Sequence, residues 1–577
     1  MKLLRQLGYL FPTKQRWQMA GLFFLQLIET CLDFFGISLI LPFVTVLTDM
    51  EHISQAGWYR FLGELVGSTE PKTILLSLTL GMMGLYVLKN VYALFLTNLR
   101  VRFLGRQQIH FGTKMLQCYM HKPYTFHLQR NTAEIVRNVH TDVNGAFAVI
   151  SGLFTIVSDV LIITALVIFL LTVETELTVA VLMGLALCSA LYFLVVRKKI
   201  RKAGAHNREY GAKMVQAIQQ AMGGIKEVKI MEREPYFADV YHAAGSEYIE
   251  RRRRYNILAA IPSRLLETVC MCSIFGLIAL KILRGDDLSA ILPSLSAFAV
   301  AAIRLLPRAN NINSQINAVL YQIPSLDALY EDLLESDRME EALRKQPLQE
   351  ADYTTGDIHL ENVSYTYPET DTPVLRNVNL HIPKGCSVGI VGITGAGKTT
   401  LVDVILGLLS PEEGRVCYGS EDIRKNPTQW HRKIGYIPQN IYMTDDSIRK
   451  NVALGVPDEE IDEAAVWRAL ENAQLADFVR SLKDGLDTVI GELGMRVSGG
   501  QRQRIGIARA LYRDPEILFF DEATSALDHE TEQAVMDAIH TLGNSKTMLL
   551  VAHRLTTIEA CDKIFRVENG RVEETTL

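Results

Sequence analysis

Eight cysteines in 577 residues are few, and none stands at metal-ligand spacing from another. Cys270 and Cys272 are one residue apart inside an apolar run, where packing accounts for them, so neither a disulfide framework nor a zinc module is implied. An excess of positive charge is also missing. Lys and Arg number 59 against 64 Asp and Glu, a formal net charge of −5, which gives no sign of a nucleic-acid partner. A cleavable leader is not expected either: the first apolar run, 20–47, is longer than a signal-peptide core and has no small-residue cleavage site.

What the chain does have is length and a sharp asymmetry. It is too long for one ordinary domain. Long apolar runs crowd the first 325 residues, and the last 220 or so alternate strand and helix patterns as a soluble α/β protein does. Six runs, at about 18–47, 74–98, 146–173, 176–196, 257–283 and 288–306, are long enough to cross a bilayer as helices. Basic clusters set their direction. Lys2, Arg5, Lys14 and Arg16 precede the first run, Arg100, Arg102 and Arg106 follow the second, Arg197–Lys202 follows the fourth, and Arg251–Arg254 precedes the fifth. Six crossings put all of these on one side, the cytoplasm, together with both termini.

The connections after the second and fourth runs are long and helix-favouring, so the spans are expected to continue as helices beyond the membrane. Each connection is interrupted once, at His121-Lys-Pro-Tyr-Thr-Phe126 and at Gly223-Gly-Ile-Lys-Glu-Val-Lys229, where Pro and Gly break the helical pattern. Each interruption reads as a plain loop or as a transverse element touching the C-terminal domain. In the loop between the first two spans, Ile53–Val66 places Trp58, Leu62 and Leu65 near one helical face, as an interfacial amphipathic helix or a packed loop helix. Charges inside spans are costly and mark function when they occur. Lys89, Arg264 and Arg304 are such charges, expected to line a cavity unless they snorkel to an interface, and Glu29 and Asp33 share one face of the first span.

The C-terminal part is organised around Gly392-Ile-Thr-Gly-Ala-Gly-Lys-Thr399, a G-x-x-x-x-G-K-T string between the apolar strand Ser387–Val391 and the helix pattern Thr400–Leu406. The glycines let the backbone wrap a phosphate, and the helix N-terminus offers free N–H groups to it. Within this loop Gly392, Thr394, Gly395, Ala396, Gly397, Lys398, Thr399 and Thr400 are the expected phosphate contacts. Lys398 would reach the β- and γ-phosphates, and the Thr399 hydroxyl would ligate Mg²⁺. Tyr367 stands upstream at a distance suited to stacking on adenine. Gln439 ends a short strand with a carboxamide able to touch both metal and attacking water. Ser498, Gly499, Gly500 and Gln501 open a helix and form a second anion site. Asp521 closes the buried strand pattern Glu516–Asp521 and is placed to hold Mg²⁺, with Glu522 next to it as general base. His553 follows the strand pattern Thr547–Ala552, where its imidazole is expected to contact the γ-phosphate.

In this order and spacing the strings resemble an ATP-binding cassette (ABC) transporter half of exporter type, over nearly the whole chain. The resemblance implies Walker A at 392–399, a Q-loop at Gln439, the family signature at Ser498–Gln501, Walker B at Asp521, catalytic Glu522, a D-loop at Ser525–Asp528 and a switch His553. Val497 stands where the family usually has Leu. Thr488–Gly494 resembles the segment upstream of the signature in exporters. The implied fold is a membrane α-helical bundle of six transmembrane helices fused to an α/β P-loop ABC ATPase domain, divided as 1–325, a linker 326–355, and 356–577. ATP and Mg²⁺ are the implied cofactors, and the implied working unit is a homodimer in the bacterial plasma membrane, because the signature of one copy caps the ATP of another. The substrate stays open between three readings: a lipid-linked oligosaccharide carried on polyprenyl pyrophosphate, held at Lys89, Arg264 and Arg304; a drug, lipid or peptide; or none, in a membrane-anchored ATPase subunit. About 17 residues precede the first span, too few for the protease domain of a leader-cleaving peptide exporter.

Overall fold

The structure, a computed structural model, describes residues 2–38, 71–173, 175–284, 288–345, 353, 356–368, 370–491, 494–522, 546–551, 558–559 and 561–576. The chain divides into two compact units, one formed by 1–122 and 130–342, the other by 123–129 and 343–577.

The first unit is helical. Its long elements are α1 (Thr13–Ser38), α2 (Pro71–Met120), α3 (Val143–Val173), α4 (Thr175–Gly223), α5 (Glu234–Arg284) and α6 (Leu288–Lys345). Each of the six apolar runs falls on one of them, the described part of the first run ending at residue 38. Helices α2, α4 and α5 have 50, 49 and 51 residues. A bilayer core of about 30 Å needs only about 20 residues, so these three continue far beyond it. Their outward faces are apolar: Leu80, Met83, Val87, Leu94, Leu187 and Leu194 are all exposed. Lipid, not water, is the solvent such a surface suits.

The expected interruptions are real breaks. Helix α2 ends in a turn at His121–Lys122, and Pro123 leads into the short helix Tyr124–Gln129. Helix α4 ends at Gly223, and Gly224 caps the short helix Ile225–Ile230. The first of these short helices groups with the second unit, where Tyr124 has Asp403 and Tyr367 as electrostatic neighbours. One element was not expected: a turn of π-helix, Arg137–Asp142, at the start of α3. There Asp142 is buried, and both its oxygens accept from Arg208 Nε on α4, at 2.9 and 2.8 Å. The Ile53–Val66 segment lies outside the described residues.

The second unit holds two sheets. A four-stranded antiparallel sheet runs in the order β2 (Leu375–Ile382), β1 (Ile358–Tyr365), β4 (Glu413–Tyr418), β5 (Glu421–Asp422). A six-stranded sheet runs β10 (Arg571–Thr575), β9 (Lys563–Glu568), β3 (Ser387–Val391), β8 (Thr547–Val551), β7 (Ile517–Asp521), β6 (Ile434–Ile437), parallel except at the β10 edge. The continuous apolar sequences of β7 and β8 follow from this place, since every residue of both strands is buried. The C-terminal ends of β3, β6, β7 and β8 share one edge, where ligands bind in parallel α/β sheets.

Candidate functional site

Strand β3 runs into the P-loop at that edge, and helix α7 (Lys398–Ile405) leaves it. Only glycine serves at two points. A Cβ on Gly392 would stand 2.4 Å from the carbonyl oxygen of Val567, and Gly397 caps α7 with φ +105°. Lys398 is buried, and its ammonium donates to the loop's own carbonyls, 2.8 Å to Gly392 O and 3.2 Å to Ile393 O. Its positive charge therefore lies on the loop. Thr394, Gly395 and the hydroxyl-bearing Thr399 are exposed, Ala396 is half-buried, and Thr400 is buried against Tyr367, whose hydroxyl is 3.1 Å from the Thr400 hydroxyl. Tyr367 thus stands beside the P-loop helix.

The neighbouring strand ends supply the acids. Asp521 closes β7 and is only 7% exposed; Tyr436 on β6 donates its hydroxyl to it at 3.5 Å. Burial pushes the Asp521 carboxyl up, and the charge of Glu522 adds to the effect. Glu522 has φ +51°, the left-handed region, which costs about 1 kcal/mol for a residue with a Cβ. Its backbone N–H is held by Val551 O at 2.9 Å, and its carboxylate accepts from Gln439 Nε2 at 2.5 Å. The backbone here is bent to aim a carboxylate, and the carboxamide of Gln439 meets it.

Asp403, in the middle of α7, was missed by motif reading. It is 8% exposed and is pushed up to about 6 by burial and by Asp521. Its signal was an acid inside Leu401-Val-Asp-Val-Ile405, a run otherwise apolar. Among the described residues no hydrogen bond or ion pair to a protein cation compensates it. Two buried carboxyls, an exposed threonine hydroxyl and a carboxamide are hard oxygen donors, the set that suits Mg²⁺. The residues present therefore fit the ion that a nucleotide triphosphate brings.

Ser498 caps helix α8 (Gly499–Leu511) in a capping box: Gln501 N donates to Ser498 Oγ at 3.2 Å, and Ser498 N donates to Gln501 Oε1 at 2.8 Å. Ser498 and Gly499 are exposed and Gly500 half-buried, so this helix end faces outward, with the first-turn N–H groups of Gly499 and Gly500 not used by the capping box. His553 and Ser525–Asp528 lie outside the described residues.

The proposed substrate residues fall in the helical unit. Lys89 on α2 is ion-paired with Asp33 on α1. Asp33 also accepts from Arg308 on α6 at 3.4 Å, and Arg308 reaches the fully buried Asp159 on α3 at 2.9 Å, where Asn311 donates to the other oxygen at 2.6 Å. Arg308 and Asp159 were not singled out from sequence, although both are charges in or just beyond apolar runs. Arg264 on α5 is exposed and pairs with Glu267 one turn on. Arg304 lies on α6, and its side chain is outside what the structure describes.

A phosphate-wrapping loop, a magnesium-type acid cluster and a capped signature helix, joined to long lipid-faced helices, define a membrane transporter driven through a nucleotide-binding cassette. The comparisons agree with that class. The ABC transporter profile matches residues 375–525, and the ABC transporter transmembrane region profile matches 19–282. A relative from Cupriavidus metallidurans named ATP-dependent lipid A-core flippase is 32% identical, over 80% of this chain and 77% of its own length. Its namesake from Escherichia coli K12 is 31% identical, over 68% of this chain and 67% of its own. In fold, a bacterial Atm1-family ABC exporter with ATP bound superposes with a TM-score of 0.77, at 21% identity, covering 97% of this chain and 95% of that one. The chain belongs to the ABC transporters, as a half-transporter of exporter type.

Proposed function

We propose that the chain works as a homodimer in the bacterial plasma membrane, hydrolysing ATP with Mg²⁺ to flip a lipid-linked oligosaccharide with an anionic pyrophosphate headgroup. The observation that carries the reading is the ionic set inside the helical unit, Lys89, Asp33, Arg308 and Asp159. Ionic groups at such depth are retained for function, and an apolar cargo has no use for them. The relatives named lipid A-core flippases favour a second cargo, lipid A-core. The broader alternative, a drug, lipid or peptide exporter, places no premium on basic residues.

In this reading Gly392, Thr394, Gly395, Ala396, Gly397, Lys398, Thr399 and Thr400 hold the phosphates and Tyr367 holds the adenine. Thr399, Gln439 and Asp521 hold Mg²⁺, which neutralises charge on the phosphates when bound. Glu522 accepts a proton from the attacking water, with Gln439 and His553 orienting the reacting groups. Ser498, Gly499, Gly500 and Gln501 of one subunit cap the nucleotide of the other, which is why one chain alone does not suffice. The short helices at 124–129 and 225–230 carry the resulting motion to the spans. Lys89, Arg264 and Arg304 attract the headgroup, and arginine's planar fork suits two phosphate oxygens at once.

Two measurements test this. Glu522→Gln should bind ATP normally yet turn over at least about a hundredfold more slowly, the scale of a lost positioned base; wild-type turnover would remove Glu522 from that role. In proteoliposomes, Lys89→Gln with Arg304→Gln should abolish flipping of a pyrophosphate-linked glycolipid while leaving basal ATP hydrolysis largely intact. Unchanged flipping, with ATPase stimulation by cationic drugs, would favour the drug-exporter reading.

A further inference from the structure

We propose that the antiparallel sheet of the nucleotide-binding unit carries a transition-metal site, formed by Asp357, His359 and His381 and suited to Zn²⁺ or Ni²⁺. Strands β1 and β2 pair so that His359 stands directly opposite His381. Their neighbours Ile358, Leu360, Leu380 and Ile382 are buried in the core, so alternation along the strands turns both imidazoles to the outer face. The rings are stacked, with centroids 4.5 Å apart and planes 4° from parallel. Asp357 precedes β1, and its two oxygens have different tasks. Oδ1 accepts the backbone N–H of Lys384 at 2.8 Å, which fixes the carboxylate; Oδ2 then faces His381 Nε2 at 2.8 Å. The His359 imidazole makes no hydrogen bond among the described residues. One ligand atom from each of the three residues lies within 4.8 Å of the others.

Around a tetrahedral Zn²⁺, bonds of about 2.0–2.2 Å put ligand atoms roughly 3.2–3.6 Å apart. The His381–Asp357 pair is already closer than that, and rotation of the partly exposed His359 ring about its terminal torsion brings the third atom in. The ion would stand between Nε2 and Oδ2 in place of their hydrogen bond, with His381 as the neutral tautomer that carries its proton on Nδ1. Two imidazoles and one carboxylate are donors that Zn²⁺ and Ni²⁺ share and that Mg²⁺ does not favour. The N–H of Lys384 is a backbone support of the kind that orients a ligating carboxylate. Three protein ligands leave a position for water, so the site is an open one. Occupation would tie β1 to β2 upstream of Tyr365 and Tyr367. It is separate from the P-loop donors, which come from other strands.

The test uses the full chain in nanodiscs without nucleotide. Zn²⁺ titrated calorimetrically should show one site per chain that disappears in His381→Gln and in His359→Gln, and that weakens about tenfold or more in Asp357→Asn. His242→Gln, at an exposed histidine on α5, should keep it. Wild-type stoichiometry and affinity in both imidazole variants would overturn the site. Because a variant can also fail to fold, the wild-type chain gives an independent readout. Carbethoxylation of His359 and His381, followed by mass spectrometry, should be suppressed by Zn²⁺ while His242 reacts as before. Equal modification of His359 and His381 with and without Zn²⁺ would likewise overturn it.

Discussion

Of the buried aspartates among the described residues, one pair in each unit makes a contrast, because their surroundings are opposite. Asp33 and Asp159 sit among the long helices and meet cations of the protein itself, Lys89 and Arg308, with Asn311 completing the shell. Asp403 and Asp521 sit at the edge of the parallel sheet with both carboxyls raised from the ordinary range, Asp403 by burial and the charge of Asp521, Asp521 by burial and the charge of Glu522. The first pair is balanced on folding. The second has its charge only partly answered, by Tyr436 and by Lys398, whose ammonium is engaged with the loop carbonyls. A site left short of positive charge is primed for a cation that arrives with a ligand; a site whose acids already meet protein cations needs none.

That contrast can be broken at either end. The largest effect is expected from Asp521→Asn, which should reduce ATP turnover about a thousandfold, since several kcal/mol of charge stabilisation depend on a correctly held metal. Without nucleotide the same substitution should leave the thermal midpoint unchanged or raise it; a marked fall would mean that the protein, and not a ligand, balances Asp521. In the helical unit the order reverses. Asp159→Leu should lower stability by about 3 kcal/mol, because it strands Arg308 next to Lys89 with one acid between them. Adding Arg308→Met should recover most of the loss in a detergent melting assay. If the double variant melts no higher than the single one, Arg308 is anchored by something besides its acids.

The smallest effect concerns pH. The Asp403 carboxyl is raised in the folded chain, to about 6, so the folded state holds its proton more tightly than the unfolded one. Its contribution is therefore intact below about pH 4 and is lost as pH rises through about 6. Asp403→Asn should accordingly stabilise the nucleotide-free protein at pH 8, by on the order of 2 kcal/mol, or a few degrees in melting temperature, and do little at pH 4. A gain that is the same at both pH values would mean that the Asp403 carboxyl is not raised in the folded chain.

The site's local parts were legible because each is a contiguous string whose chemistry is fixed by spacing. The loop 392–399, the cap at Ser498 and the strand ending in Asp521 each need only their own neighbours to take shape. The six apolar runs were legible for a similar reason, since the length of a run is itself the signal. Asp403 was harder, because nothing local distinguishes a tolerated acid on a helix from one facing a second carboxyl. The bond between Gln439 and Glu522 spans 83 positions, and the left-handed backbone at Glu522 has no sequence signal without glycine.

By itself, then, the sequence determined the long helices and the strand pattern, the class of nucleotide-binding domain and some of the charges carried into apolar surroundings. Only the tertiary structure decided how those charges are matched. Lys89 meets Asp33 across 56 positions and Arg308 meets Asp159 across 149. His359 meets His381 only because the strands pair in one register and not the next. The reason is physical: helix and strand patterns arise from near neighbours in the chain, whereas ion pairing depends on which faces pack, and packing is a property of the whole fold.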